Sequence, residues 1–454
     1  MAGSFADKPR ISDVQGVLAH PDRFGVRYRD GDADAGCREL LLDAIPLGAL
    51  ADVVKTPTYV YGLAHVDRAI DDLAAALRGA DAGICYAVKA NDTHAVLRRM
   101  ADRGVGADIV SGGELARAVR AGIAPDDIVF SGVGKRPDEI DAALGHGIAS
   151  INVESGAELA VVAARARAAG LRARVSLRLN PEISADTHPY LATGLAEAKF
   201  GVPLDAAAPL AKRCLEDPHL ELVGIACHIG SQIFDADPFV ESVRSLARVV
   251  EELRALGASL RRFDLGGGFA IPYTGDQAPM DLDAWAAAVR PVAADLGLRL
   301  IVEPGRLLVG NAGVLLVRVL YCKDNGARRF VVVDGAMNDL IRPSLYDAYH
   351  MIVPTRLRQG AKDVTVDVVG PVCETGDFFA LERSMPEVRP GDVLAVLSAG
   401  AYGATMASTY NTRPLSAEVV VEGERFAVCR RRQTLEALLA RDVVDPVFEA
   451  LPAT

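Results

Sequence analysis

No stretch of this 454-residue sequence approaches the run of about 20 apolar residues that a membrane-spanning helix needs, although half of its residues are hydrophobic. Met1 to Arg10 holds no apolar core of a secretory signal. The seven cysteines are odd in number and scattered, with no CxxC pair. That argues against a disulfide framework and a structural zinc site, and fits a reducing cytoplasm; no metal site is expected. Lysine and arginine form no block, and the formal charge is -11, so nucleic acid and anionic membranes are poor partners. The phosphate-binding loop GxxxxGK(S/T) is absent, and no GxGxxG opens a Rossmann unit. There is no internal repeat and no low-complexity linker.

What remains is a long chain with ample core material and 24 % charged residues, enough for two tightly packed domains. Residues 1–54 read as irregular, with an apolar stretch at Leu40–Leu50. From Thr58 to about Gly310 short apolar runs alternate with longer segments rich in helix formers. The strand-like runs are Ile84–Lys89, Ala107–Val110, Asp127–Ser131, Ser150–Val153, Val175–Leu179, Leu222–His228, Arg262–Leu265 and Leu298–Val302. Segments such as Asp67–Leu77, Glu114–Ala121, Ala157–Ala169 and Val240–Leu256 read as helices. A β/α alternation repeated eight times predicts a (β/α)8 TIM barrel; a doubly wound open sheet is the alternative. After about Val314 the runs Val314–Tyr321, Phe330–Asp334, Val364–Val369, Val393–Leu397 and Glu418–Val421, separated by turn signals such as Arg389-Pro390-Gly391-Asp392, predict a β domain. The expected division is an N-terminal segment 1–54, a barrel 55–312 and a C-terminal β domain 313–454.

Chemistry in such a barrel sits at the carboxyl ends of the strands, and the polar clusters fall there. Lys89 ends the first run; partial desolvation would lower its pKa and make it a usable nucleophile. The plainer reading is a lysine snorkelling from a strand end. Gly266-Gly267-Gly268 follows the seventh run and can bring backbone N–H groups close to an anion, helped by Ser231 and the Gly305 region; it can equally be a tight turn. Glu303 ends the eighth run, next to Pro304, Gly305 and Arg306. It could hold a heterocyclic nitrogen protonated while Arg306 binds a carboxylate, or the two could form a structural ion pair. His228 ends the sixth run, facing an aromatic ring or satisfied in the core. In the β domain, Gly370–Asp377 (with Cys373 and Glu374), Gly400–Gly403 (with Tyr402) and Met337–Tyr346 (with Arg342 and Tyr346) are loops dense enough to be functional. An amine, phosphate-binding glycines and a ring-directed carboxylate together describe a pyridoxal phosphate site.

The segments YAVKAN (86–91), VSGGEL (110–115), FSGVGK (130–135), HPYLATG (188–194), KFG (199–201), HIGSQ (228–232), DLGGGF (264–269), EPGR (303–306), MNDLIRP (337–343), GPVCETGD (370–377) and GAYG…YNTRP (400–414) resemble the fold-type III pyridoxal-phosphate decarboxylases. Within them they resemble the diaminopimelate decarboxylases. The resemblance runs from about Tyr28 to Leu438. It implies an alanine-racemase-like barrel plus β domain, to which the N-terminal segment contributes. It also implies a head-to-tail homodimer with shared active sites, and decarboxylation of meso-2,6-diaminopimelate to L-lysine and CO2, the last step of lysine biosynthesis. By the same resemblance Lys89 bonds the cofactor covalently and His228 faces its ring. Ser231, Gly267, Gly268 and the Glu303–Arg306 loop hold its phosphate and ring, and Tyr402 touches it. Arg306, Arg342 and Tyr346 bind the carboxylate at the substrate's non-reacting end, and Glu374 the amine there. Cys373, a candidate proton donor, and Glu374 come from the partner subunit. Asp92-Thr93-His94 and the extra residues Gly31–Gly36 depart from the pattern. Other substrates of the same machinery (ornithine, lysine, carboxynorspermidine or a secondary metabolite) and a catalytically dead regulatory homologue are the competing readings.

Overall fold

The computed structural model describes residues 11–30, 36–183, 199–449 and 451. The HPYLATG segment (188–194) and residues 31–35 lie outside the described residues.

Eight parallel strands form a closed barrel: β1 (Ala82–Ala87), β2 (Gly106–Ile109), β3 (Ile128–Phe130), β4 (Ser150–Val153), β5 (Ala173–Asn180), β6 (Leu220–Ala226), β7 (Arg262–Asp264) and β8 (Arg299–Val302). β8 pairs back onto β1, Leu300 opposite Ala82, so the sheet has no open edge and the doubly wound alternative falls. β2, β3 and β4 are buried at every position, as expected of strands covered by helices outside and packed side chains inside. The helices start and stop on local chemistry. Ser111 and Ser155 cap Gly112–Ala121 and Gly156–Ala169 by accepting the N–H of Glu114 and Glu158, a cap worth about 1 kcal/mol each. After β8 only the short helix Arg306–Val309 follows, and Leu63–Ala76, which precedes β1, packs beside it and Leu282–Ala294 to complete the ring. One side of the core is keyed by Phe239, Phe269 and Trp285, with Trp285 edge-on to both phenyl rings.

The second domain is built on a nine-stranded sheet ordered Phe378–Pro386, Asp363–Val369, Arg329–Val333, Gly313–Asp324, Thr58–Gly62, Ala417–Glu422, Arg425–Arg430, with Val393–Val396 branching off Gly313–Asp324 and Ile352–Pro354 pairing in turn with Val393–Val396. Thr58–Gly62 lies inside the segment expected to be barrel (55–312), yet it pairs antiparallel with Gly313–Leu316 and parallel with Ala417–Val421. The N-terminal 54 residues, read as irregular, contain the helices Asp13–Ala19 and Leu47–Val54 and strands at Val26–Asp30 and Cys37–Leu42. Asp13 ties that helix to the second domain: its carboxylate accepts from Tyr349 Oη and from the Ile352 N–H at 2.6 and 2.8 Å. Among the described residues no helix is long and apolar enough to cross a membrane.

Candidate active site at the barrel mouth

The chain leaves β1 at Ala87 and makes a single 3-10 turn, Val88–Ala90. Lys89 therefore sits in that turn rather than in the strand, and its amine swings over the barrel end. Its Nζ lies 2.6 Å from Asp108 Oδ2 on β2, with the Lys89 side chain 37 % exposed and Asp108 fully sealed. Burial lowers the amine's pKa, but the carboxylate of Asp108, with Tyr402 and Glu303, raises it by more. The expectation of a depressed Lys89 pKa is thus overturned: in the free protein the amine is held as a cation.

Lys89, Asp108, Asn152, Arg178, His228 and Glu303 line one cavity of about 170 Å³, together with Phe200 and Cys227. His228 Nδ1 accepts the Gly267 N–H at 3.1 Å. A backbone N–H can only donate, so Nδ1 carries no proton, and any proton on the neutral ring sits on Nε2. Burial, with Arg178 and Lys89 nearby, holds His228 neutral well below its ordinary pKa. The glycine run has a steric cause: a Cβ on Gly267 would come within 2.2 Å of the Glu303 carbonyl oxygen, and Gly268 has φ +103°. β7 and β8 are thereby allowed to close tightly under the site.

Glu303 is 7 % exposed, and its Oε1 has no hydrogen-bond partner. Burial, then the negative charges of Asp108 and Asp264, push its carboxyl well above the ordinary range, and a hydrogen bond to Asp264 adds to the rise. Burial also raises Asp264, to about 6, against the hydrogen bonds it accepts from Glu303 and the Gly266 N–H. The structural Glu303–Arg306 ion pair is not formed. Arg306 turns instead to Tyr273 Oη and, at 3.0 Å, to Ser231 Oγ, and stacks over Tyr402 at 5.0 Å. Arg342, on the short helix Arg342–Tyr346, reaches the same Tyr273 Oη at 3.2 Å and lies 5.8 Å over Tyr346. Pro304 O accepts the Ala87 N–H, and Gly305 packs on Ala90 and Tyr402.

Lys89, His228 and Glu303 are therefore brought together; Gly267, followed by Gly268, meets His228 and Glu303 directly. Ser231 and Tyr402 are joined to Arg306 directly, by a hydrogen bond and by stacking, and Arg342 with Tyr346 is joined to it by way of Tyr273. Cys373 and Glu374 are not: both are exposed in a loop of the second domain that lines no part of the Lys89 cavity. Cys373 N–H donates to Asn411 Oδ1, and Glu374 accepts from Tyr410 Oη at 3.0 Å. Asp108, Tyr273 and His350 went unremarked in the sequence. Only Asp108 carried a signal, a charge inside a four-residue strand with no exposed position.

The donor set suits an anionic heterocycle bearing an aldehyde. It offers an amine for the carbonyl, an unpartnered carboxylate oxygen for a ring N–H and a neutral imidazole beside the ring. The guanidinium–hydroxyl pair of Arg306 and Ser231 suits a phosphate, and Arg306 Nε is itself buried without a partner.

Barrel, second sheet and mouth chemistry define a pyridoxal-dependent decarboxylase: residues 63–310 match the family of pyridoxal-dependent decarboxylases, pyridoxal binding domain. Diaminopimelate decarboxylases of Zymomonas mobilis and Aquifex aeolicus are 45 % and 43 % identical, covering 88 % and 91 % of this chain and 96 % of each relative. The crystal structure of diaminopimelate decarboxylase from Helicobacter pylori complexed with L-lysine superposes with a TM-score of 0.83 at 42 % identity, covering 87 % of this chain and 98 % of that one. That of M. jannaschii in co-complex with L-lysine gives 0.87 at 34 %, covering 93 % and 99 %. The chain belongs to the diaminopimelate decarboxylase family.

Proposed function

We propose that this protein removes one α-carboxyl group of meso-2,6-diaminopimelate to give L-lysine and CO2, using pyridoxal 5'-phosphate. It would act in the cytoplasm as a homodimer in which Cys373 and Glu374 of the partner subunit complete each site. The observation that carries the choice of substrate is the pair of guanidiniums, Arg306 and Arg342, converging on one phenol beside the lysine cavity with no carboxylate partner among the described residues. A substrate with only an amine at its far end would leave two buried cations uncompensated. The exposed loop bearing Cys373 and Glu374 supports completion of the site by a second chain.

Bound pyridoxal phosphate supplies an acceptor for the electron pair left at Cα when the carboxylate departs. The residues do the rest. Lys89 would hold the cofactor covalently through its amine. Glu303 holds the ring nitrogen's proton, His228 keeps a neutral face toward the ring, and Ser231, Gly267, Gly268 and Arg306 bind the phosphate. Tyr402 packs on Arg306. Arg306, Arg342 and Tyr346 fix the far carboxylate, and Glu374 the far amine, so that the near carboxylate is oriented for cleavage. Cys373 delivers the proton to Cα.

Cofactor capture requires the Lys89 amine uncharged, and Asp108 opposes that. Asp108→Asn is expected to move the pH at which apoprotein loading is half-maximal down by at least about one unit, read from the absorbance change on adding pyridoxal phosphate across pH. An unchanged profile would remove Asp108 from this role. Arg342→Ala is expected to raise KM for diaminopimelate by about tenfold or more; an unchanged KM would show that it does not bind the far carboxylate. The assignment as a whole is tested by CO2 release from meso-diaminopimelate, L-ornithine, L-lysine and carboxynorspermidine in parallel. Preference for the first, with lysine as product, is the expected result. Activity on another alone would keep the chemistry and overturn the substrate, and silence on all four would overturn both.

A further inference from the structure

Tyr273 lies in the loop that leaves the glycine run after β7, in a stretch carrying no recognised motif. That loop is held rigid. Gln232, from the loop after β6, grips Ile271 at both ends, its Nε2 donating to Ile271 O at 2.6 Å and its Oε1 accepting the Ile271 N–H at 3.3 Å. Tyr273 N–H donates to Gln277 Oε1 at 2.9 Å. The ring is packed edge-on against His350, 5.4 Å between centroids. His350 is itself fixed: Nδ1 bonds Leu397 O at 2.8 Å and Nε2 accepts from Arg342 Nε at 3.4 Å. Burial, with Arg342 adding to it, holds this imidazole neutral with a pKa of about 3, so it does not repel the guanidinium it orients. The phenol is thus set in place from three elements before any ligand arrives.

Its oxygen is used in one particular way. Arg306 donates to it from the barrel and Arg342 donates to it from the second domain. Two N–H donors occupy both lone pairs of a phenol oxygen. The O–H proton is then the one remaining valence, and among the described residues nothing accepts it. A hydroxyl that takes two cationic donors and offers a third proton is complementary to an anion and to nothing else nearby. Burial opposes ionisation of the phenol, but the two guanidiniums outweigh it and lower its pKa. The same positive field would draw a carboxylate.

We propose that Tyr273 braces Arg306 and Arg342 into a single anion-binding fork spanning the two domains and turns its own O–H to the carboxylate at the non-reacting end of the substrate. The inference deepens the substrate assignment above and rests on it. Without the hydroxyl the two guanidiniums keep their charge but lose the oxygen that sets their separation, so Tyr273 sets affinity for the far carboxylate and leaves the bond-breaking step alone.

The test is a double-mutant cycle on the cofactor-loaded enzyme, with Tyr273→Phe, Arg342→Ala and the double variant. CO2 release from meso-diaminopimelate is measured beside calorimetric titration with L-lysine, which retains that carboxylate. Tyr273→Phe is expected to raise KM and weaken lysine binding about tenfold, with kcat within about threefold and the absorbance of the bound cofactor unchanged, a split that general loosening of the fold would not give. In the Arg342→Ala background the same change should cost less than about twofold, because the fork is already broken. A KM within twofold of wild type, or effects that multiply in the double variant, would overturn the inference while wild-type turnover of diaminopimelate keeps the substrate assignment standing. A wild-type protein that neither turns over diaminopimelate nor binds lysine would overturn both.

Discussion

Lys89→Ala is expected to lower turnover of diaminopimelate by at least about a thousandfold while leaving the protein able to bind pyridoxal phosphate non-covalently. Among the described residues lining the cavity, the amine is the one group that can form an imine with an aldehyde. Asn152, Arg178 and His228, which share the lining, are respectively an amide, a guanidinium and an imidazole held neutral by burial. The phosphate and ring contacts proposed for Ser231, Arg306 and Glu303 do not involve Lys89, so weak cofactor binding should survive. Borohydride reduction separates the two states: it should fix the cofactor to wild type and leave the variant unlabelled. The substitution also strips Asp108 of its only ion-pair partner among the described residues, a salt bridge at 2.6 Å whose carboxylate is fully sealed. An apoprotein less stable by a few kcal/mol is the expected accompaniment, which is why turnover must be measured on protein shown to be folded. Near-normal turnover in Lys89→Ala would end the mechanism.

The barrel was legible because its signal is repeated. Each of the eight runs found in the sequence overlaps a barrel strand, and no boundary moved by more than two residues, at ends where turns rather than hydrophobicity decide. Phe378–Pro386 was missed because it does not alternate: its two ends are buried, its middle is exposed, and Glu382 bends it with φ +49°. Thr58–Gly62 was placed in the wrong domain for a different reason. Its five buried residues read the same in a barrel wall as in the middle of a mixed sheet, and only pairing partners some 250 residues along the chain at Gly313–Leu316 tell them apart. At the site, the sequence exposed residues that end strands and hid those that act across the chain. Lys89, His228 and Glu303 follow strands and stand out. Tyr273 and His350 matter because Arg306 and Arg342 reach them, and no local pattern encodes that. The sign of the Lys89 shift failed likewise: burial is visible in an apolar run, but a carboxylate 19 residues away is not.

Glu303→Gln is expected to reduce kcat by about 10²- to 10³-fold, corresponding to about 2.7–4 kcal/mol of lost charge stabilisation, with little change in KM. Two carboxyl groups, Asp108 and Glu303, line the cavity with the Lys89 amine, and a third, Asp264, lies beside Glu303. The cofactor-free protein meets that excess by favouring the protonated form of Glu303, raised first by burial and then by the charges of Asp108 and Asp264, while burial raises Asp264 against the hydrogen bonds it accepts. An unpartnered buried oxygen such as Glu303 Oε1 costs about 1–3 kcal/mol, and a ring N–H arriving at that oxygen relieves the cost. Such a cation would also return Glu303 to its ionised form, so the carboxylate acquires its charge when it is needed. Glutamine keeps the shape and can still donate to Asp264, but it stays neutral and cannot hold a protonated nitrogen. Since a carboxyl raised on folding weakens the fold at neutral pH, the same substitution should leave the Tm of the apoprotein equal or higher. A large fall in kcat with an undiminished apoprotein Tm is therefore the signature of a charge kept for chemistry. A kcat within about threefold of wild type would mean that the ring nitrogen's proton is held without Glu303, and an apoprotein that melts markedly earlier would mean that the carboxyl pair serves the fold.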